Sequence, residues 1–216
     1  MGRKRLIKDS QINEVMDTLG KMHPEAMCAL DHGSEFELLV AVVLSAQTTD
    51  VSVNKVTPEL FKKYPVPEAL ASASQADVMD TIRTIGLYKT KSANIIKLAQ
   101  KLVDDFGGAV PDTFEELTSL PGVGRKTANV VMAEAFGKPA IAVDTHVFRV
   151  SNRIGLTDAK DVNATEDQLK ERLPENMWIR AHHLLIFHGR KICHARKPDC
   201  ENCGIQEICL HNGGTK

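Results

Sequence analysis

Four cysteines crowd into the last part of the chain: Cys193, Cys200, Cys203 and Cys209, spaced C-x6-C-x2-C-x5-C within 17 residues. That density is too high for independent core thiols. Disulfide frameworks belong to secreted chains, and the N-terminal MGRKRLIKDS lacks the apolar region of a secretory signal. The segment is therefore expected to enclose a metal centre. Four thiolates suit tetrahedral zinc or an iron–sulfur cluster, and spacing alone separates the two poorly. Either centre would cross-link a C-terminal tail too short to build its own core, so a stabilising role is expected whatever else the centre does. The remaining cysteine, Cys28 in PEAMCAL, reads as a small buried hydrophobe.

The 216 residues, 43% hydrophobic and 25% charged, can bury a full core as one domain or two small ones. No apolar run approaches the roughly 20 residues of a membrane span, which points to a cytosolic protein. A net charge of −1 and a pI near 6.7 give no global attraction to nucleic acid. Any such binding must come from local clusters, at Arg3, Lys4, Arg5 and Lys8 and again from Arg180 to Lys197. By themselves these are also what a solvated surface looks like.

Helix signals occur almost throughout. Ser34 followed by Glu37, Thr113 by Glu116, and Thr165 by Gln168 each fit the capping box, in which two side chains satisfy free N–H groups at a helix start. Ile95, Ala99, Leu102 and Phe106 recur at helical spacing before Gly107 and Gly108, which can close the helix in a left-handed conformation. Two-residue alternation over strand length is absent. The run LLVAVVL follows a capping box and belongs in a helix, while AIAV could pass for a buried strand. The expected fold is all-α, with roughly ten helices and no repeat of fixed period.

The stretch LPGVGRKTANV, Leu120 to Val130, combines a helix stop with a helix start. Pro121 cannot continue the preceding helix, Gly122 and Gly124 permit positive φ, and a helix then runs from about Arg125 to Phe136. Glycines admit close approach of a ligand, and the N–H groups that open a helix lack internal partners, so the hairpin suits a phosphate. Yet this helix opens on Arg125 and Lys126, two cations at the end where the backbone dipole is already positive. Helix stability did not select them. Twenty residues past Gly124, in VDTHVFRV, Asp144 sits just before another helix, placed as an N-cap.

From Leu120 to Arg149 the chain resembles the helix-hairpin-helix, Gly/Pro-rich loop and aspartate signature of the DNA glycosylase superfamily. LSAQTTD at Leu44 to Asp50, GLYKTKSANI at Gly86 to Ile95 and the cysteine set narrow the resemblance to the endonuclease III branch, over nearly the whole chain. It implies a two-lobed fold: a six-helix domain at about residues 28–138, and a second domain of 1–27 with 139–216 that carries a [4Fe-4S] cluster on the four cysteines. It also implies an active cleft between the lobes, with Lys126 and Asp144 brought from opposite sides.

The activity implied is that of a bifunctional DNA glycosylase and AP lyase acting as a monomer on double-stranded DNA. Its substrates would be oxidised or ring-saturated pyrimidines and abasic sites, in a prokaryotic cytoplasm and on the nucleoid when bound. Base excision begins by flipping the nucleotide out of the duplex. Lys126 would attack C1′ and expel the base, Asp144 would stabilise positive charge on the sugar, and β-elimination from the resulting Schiff base would cut 3′ of the lesion. A lysine at its ordinary pKa of about 10.4 is a poor nucleophile. Arg125 and the positive helix end both disfavour the ammonium, as partial burial would, which accounts for their unfavourable placement.

Other residues are assigned by the same resemblance. Gln47 would plug the space left by the flipped nucleotide and Leu87 would wedge the opposite strand. Gly122, Gly124 and Arg125 would meet the backbone, and His146 would help hold the substrate. Arg196 and Lys197, in the HARKPD loop pinned by cysteines, would meet phosphates, as the corresponding loop does in the family. Asp50 and Arg149 are read as supports. An adenine-specific mismatch enzyme is disfavoured by Lys126 in the lyase position and by the short chain beyond the cluster. A non-catalytic DNA-binding module would need neither Lys126 nor Asp144, and an electron-transfer protein would have no use for the hairpin. Relatives of this kind are commonly basic, so the slightly acidic balance here implies that affinity concentrates on one face.

Overall fold

A computed structural model describes residues 6–213. The basic residues Arg3, Lys4 and Arg5 lie outside the described residues. Twelve α-helices and no strand occur among those described, two more than pattern counting gives. They are α1 (Ile12–Met22), α2 (Glu35–Leu44), α3 (Asp50–Asn54), α4 (Thr57–Lys63), α5 (Pro67–Ala71), α6 (Gln75–Thr81), α7 (Tyr88–Phe106), α8 (Phe114–Ser119), α9 (Arg125–Phe136), α10 (Thr145–Ile154), α11 (Val162–Arg172) and α12 (Trp178–Lys191). The surplus consists of helices of five to seven residues, too short to show a period. No helix is long and apolar enough to cross a membrane.

The chain divides into two compact units, Ala29–Lys138 and Met1–Cys28 with Pro139–Lys216. The first is built around α2, which is apolar on every side and buries Phe36 and all of Leu38 to Leu44. Ser34 caps it by accepting from the Glu37 N–H, while the Glu37 carboxylate turns back to Gly33. α7 and α9 pack against it. α7 buries Ile95, Leu98, Ala99 and Leu102, and ends at Gly107 with φ 60°.

The second unit packs α1, α10, α11 and α12 around Val15, Leu19, Val147, Val150, Leu169, Leu184 and Leu185. Cys203, Ile205 and Ile208 of the C-terminal segment belong to the same core, so the tail borrows its interior from the helices before it. Arg172 reaches the carbonyls of Ile7, Gly155 and Leu156 and ties the N-terminal segment to the turn after α10.

Three local readings are corrected. The Thr165 capping box is not a helix start: Asp161 caps α11 one turn earlier by accepting from the Ala164 N–H, and the Thr165 hydroxyl donates back to the Asp161 carbonyl. The AIAV run, Ala140 to Val143, is fully buried but forms neither strand nor helix, and its Ala142 carbonyl bonds His182 Nδ1 at 2.7 Å. Gly124 is extended at φ −98°, so of the two glycines in this hairpin Gly122 alone uses left-handed freedom.

Candidate active site and cluster segment

In the unit Ala29–Lys138, α8 ends at Ser119 and a tight turn follows in which the Val123 N–H donates to the Leu120 carbonyl at 3.1 Å. Pro121 and Gly122 are its central residues, and φ of 82° at Gly122 is the left-handed position that such a turn reserves for glycine. A Cβ on Gly122 would meet Asn94 of α7 and Val43 of α2 at 3.3 Å, so the turn is seated directly on both helices. Gly122→Ala is expected to destabilise this unit by about 1–3 kcal/mol, from left-handed strain plus the displaced neighbours. Urea unfolding of the variant measures it, and an unchanged midpoint would show that the turn relaxes freely.

α9 then opens with no side-chain cap and no acid in its first turn. Its leading N–H groups, Arg125 and Lys126 form one electropositive end. Lys126 is exposed, so burial contributes nothing to its environment in the DNA-free protein.

Two further turns of this unit carry strain. Among the described residues only three non-glycines have positive φ: Gln47 at 53°, Leu87 at 58° and Lys197 at 51°. Each is a residue singled out from the sequence for DNA contact. Leu87 is no core residue: it is 57% exposed and occupies the N-cap of α7. Gln47 is exposed in the turn after α2. Non-glycine residues in the left-handed region persist where surrounding structure enforces them, and such strain gathers at functional positions.

In the other unit Asp144 caps α10. Its Oδ1 accepts from the His146 and Val147 N–H groups, both at 2.8 Å, which leaves Oδ2 for another partner. His146 is half-buried, and Arg149 donates to its Nδ1 at 3.2 Å, so its proton sits on Nε2 in the neutral ring. Arg149 also donates to the Gly189 and Cys193 carbonyls, which makes it the strut between α10 and the cysteine segment. Arg153, one turn on, donates to the His194 and Ala195 carbonyls at 2.6 and 2.9 Å and to Cys193 Sγ at 3.5 Å. The loop bearing the exposed Arg196 and Lys197 is thus held from α10 as well as by its cysteines. Arg153 carries no mark in the linear pattern, because its carbonyl partners lie 41 and 42 positions away.

His188 of α12 places Nε2 3.6 Å from Cys203 Sγ, and its Nδ1 lies 3.1 Å from His23 Nε2. Burial, with His23 as a second cause, pushes its pKa down to about 4, so it stands neutral beside the thiol. Burial pushes the Cys203 and Cys209 thiols up, and neighbouring cysteines add to the shift. Loading a metal must therefore displace their protons. Four mutually influencing thiols, with the Arg153 guanidinium donating to Cys193 and the His188 ring beside Cys203, fit a thiolate-bound cluster.

Residues 40–175 match the HhH-GPD superfamily of base excision DNA repair proteins, and residues 193–209 match the iron-sulfur binding domain of endonuclease III. Endonuclease III of Bacillus subtilis is 49% identical over 200 residues, 92% of this chain and 91% of that one. The Escherichia coli K12 enzyme is 46% identical, covering 91% and 93%. The chain belongs to the endonuclease III family. A structure described as a trapped covalent intermediate of endonuclease III with DNA superposes with a TM-score of 0.91 at 47% identity, covering 96% of this chain and 98% of that one. A thermostable thymine-DNA glycosylase superposes at 0.84 and 26%, covering 95% and 98%. The protein is accordingly a DNA glycosylase and AP lyase of base excision repair, binds DNA, and carries the [4Fe-4S] cluster of the endonuclease III family.

Proposed function

We propose that the enzyme removes oxidised or ring-saturated pyrimidines from duplex DNA, with Lys126 as nucleophile and Asp144 as the carboxylate that stabilises the developing sugar cation. The observation that carries the reading is the opening of α9: uncapped, free of acid, and fronted by Arg125 and an exposed Lys126 behind the Gly122 turn. That arrangement is unfavourable for the helix and suited to a phosphate backbone beside a reacting sugar.

In the proposed sequence the Lys126 amine attacks C1′, the N-glycosidic bond breaks, and the base leaves with a proton. Loss of a C2′ proton from the resulting Schiff base expels the 3′ phosphate. Asp144 caps α10 through Oδ1, which leaves Oδ2 to face the sugar. Gln47 and Leu87 fill and wedge the vacated stack, Gly122, Gly124 and Arg125 receive the backbone, His146 presents Nε2–H to the substrate, and Arg196 with Lys197 adds phosphate contacts. A relative of 47% identity is described as a covalent intermediate with DNA, which is the kind of species this chemistry requires. Borohydride reduction on a duplex with one thymine glycol tests the reading: a protein–DNA adduct is expected, and base release without adduct would reduce the enzyme to a monofunctional glycosylase.

The cluster is assigned to Cys193, Cys200, Cys203 and Cys209, where it cross-links a segment that shares the core of α1, α10 and α12. Cys203→Ala is expected to yield protein with almost no iron and a lowered unfolding midpoint, whereas Cys28→Ala retains full iron. Iron assay after purification decides it, and full iron in Cys203→Ala would remove that cysteine from the ligand set.

A further inference from the structure

Lys91 is buried in the unit Ala29–Lys138, although nothing in the sequence separates it from a solvated helix lysine. Only 4% of it is exposed, and among the described residues its ammonium has no carboxylate partner. Among the described residues its ammonium donates one hydrogen bond, to the Thr48 hydroxyl, 2.5 Å from Nζ. Its own backbone N–H donates to the Leu87 carbonyl at 2.9 Å. One residue thus bonds the neighbour of Gln47 through its side chain and Leu87 itself through its main chain. The two strained turns are adjacent, since a Cβ on Gly86 would come within 4.0 Å of the Gln47 carbonyl oxygen.

A buried ammonium held by one neutral acceptor weakens a fold. Desolvation is uncompensated by an opposite charge, and two of its three N–H groups have no assigned acceptor. Burial accordingly pushes the Lys91 pKa down. An apolar side chain of similar length would pack the same space without that cost. Two non-glycine residues in left-handed conformation add further strain on either side of it. Three unfavourable features in one place, linked through one residue, mark a device kept for something other than stability.

We propose that Lys91 is a positioning residue that fixes the Gln47 and Leu87 turns at one spacing, so that plug and wedge enter the duplex as a unit. The proposal rests on the reading that Gln47 and Leu87 enter the DNA. Held apart at a set distance, the two side chains need no ordering when the nucleotide flips. Without the Lys91 ammonium the turn that carries Gln47 and Thr48 loses its tie to the helix that Leu87 opens, and the spacing of plug and wedge must be set anew on DNA.

The test uses the full-length, cluster-loaded protein with Lys91→Met, which keeps the length of the stem, and Thr48→Val, which removes the acceptor at constant shape. Thermal unfolding, single-turnover base release from a thymine glycol duplex, and the fluorescence of 2-aminopurine placed opposite the lesion are compared. Lys91→Met is expected to unfold at the same or a higher temperature, yet to release base roughly tenfold more slowly with a smaller fluorescence rise, since misplacement of positioning groups slows the step they serve. Thr48→Val should behave alike. Added to Leu87→Ala, Lys91→Met should cause little further loss, because the group it positions is gone.

Normal fluorescence and base release in a folded Lys91→Met, with both impaired in Leu87→Ala and Gln47→Ala, would overturn the positioning role alone. A lowered unfolding temperature with losses that add to those of Leu87→Ala would make Lys91 merely structural. If Leu87→Ala and Gln47→Ala themselves open the duplex normally, the insertion reading fails and the proposal falls with it.

Discussion

Lys126→Gln should bind a lesion duplex nearly as well as the wild type while trapping none of it and cutting none of it. Glutamine preserves length and polarity but offers no nucleophilic amine, and loss of a nucleophile that acts together with its partners typically costs at least about four orders of magnitude in turnover. Binding rests on many contacts, of which Lys126 supplies one cation, so the salt dependence of affinity should shift by no more than about one charge. Because Lys126 is exposed on the first turn of α9, the variant should keep its unfolding midpoint. Covalent trapping in Lys126→Gln at the wild-type level would place the nucleophile elsewhere.

The second large effect separates two roles carried by one side chain. Asp144 is both the cap of α10 and the proposed partner of the sugar cation. Asparagine caps a helix about as well as aspartate but has no charge, whereas alanine can do neither. Asp144→Asn is therefore expected to lose about 10²- to 10³-fold in base release with stability changed by less than about 0.5 kcal/mol. Asp144→Ala should lose at least as much activity and, in addition, about 1 kcal/mol of stability. Single-turnover base release alongside urea unfolding resolves the two. Full activity in Asp144→Asn would leave Asp144 as a cap and nothing more.

Much of the architecture could be read in advance because its signals are local. Pro121 and Gly122 stop one helix, and α9 starts at Arg125 and ends at Phe136 as the residue pattern indicates. The Asp144 cap and the left-handed close of α7 at Gly107 depend on neighbouring residues alone. Misreadings arose where a local template had a stronger local rival or a tertiary partner. Thr165 and Gln168 match a capping box, yet Asp161 offers a better cap and the Thr165 hydroxyl simply back-bonds within the helix. Ala140 to Val143 is apolar because it is buried, and it reaches that burial without a ladder to join. The turn strain at Gln47 and Leu87, the burial of Lys91 and the grip of Arg153 on the 194–195 carbonyls are invisible in a linear pattern, since each is set by a residue far away in the chain.

The interleaving of the chain ends in one core also constrains how the protein is made. Ala29–Lys138 is contiguous and can condense as soon as it clears the ribosome. The other unit cannot. Ile7, Ile12, Val15 and Leu19 are synthesised first, yet the residues they pack against include Leu184, Leu185, Cys203 and Ile208. Until translation reaches that far, α1 carries an apolar face with no interior to enter. The unit's interior is therefore complete only when residues from both stretches are present, and the cysteine segment closes it from the far side of the chain.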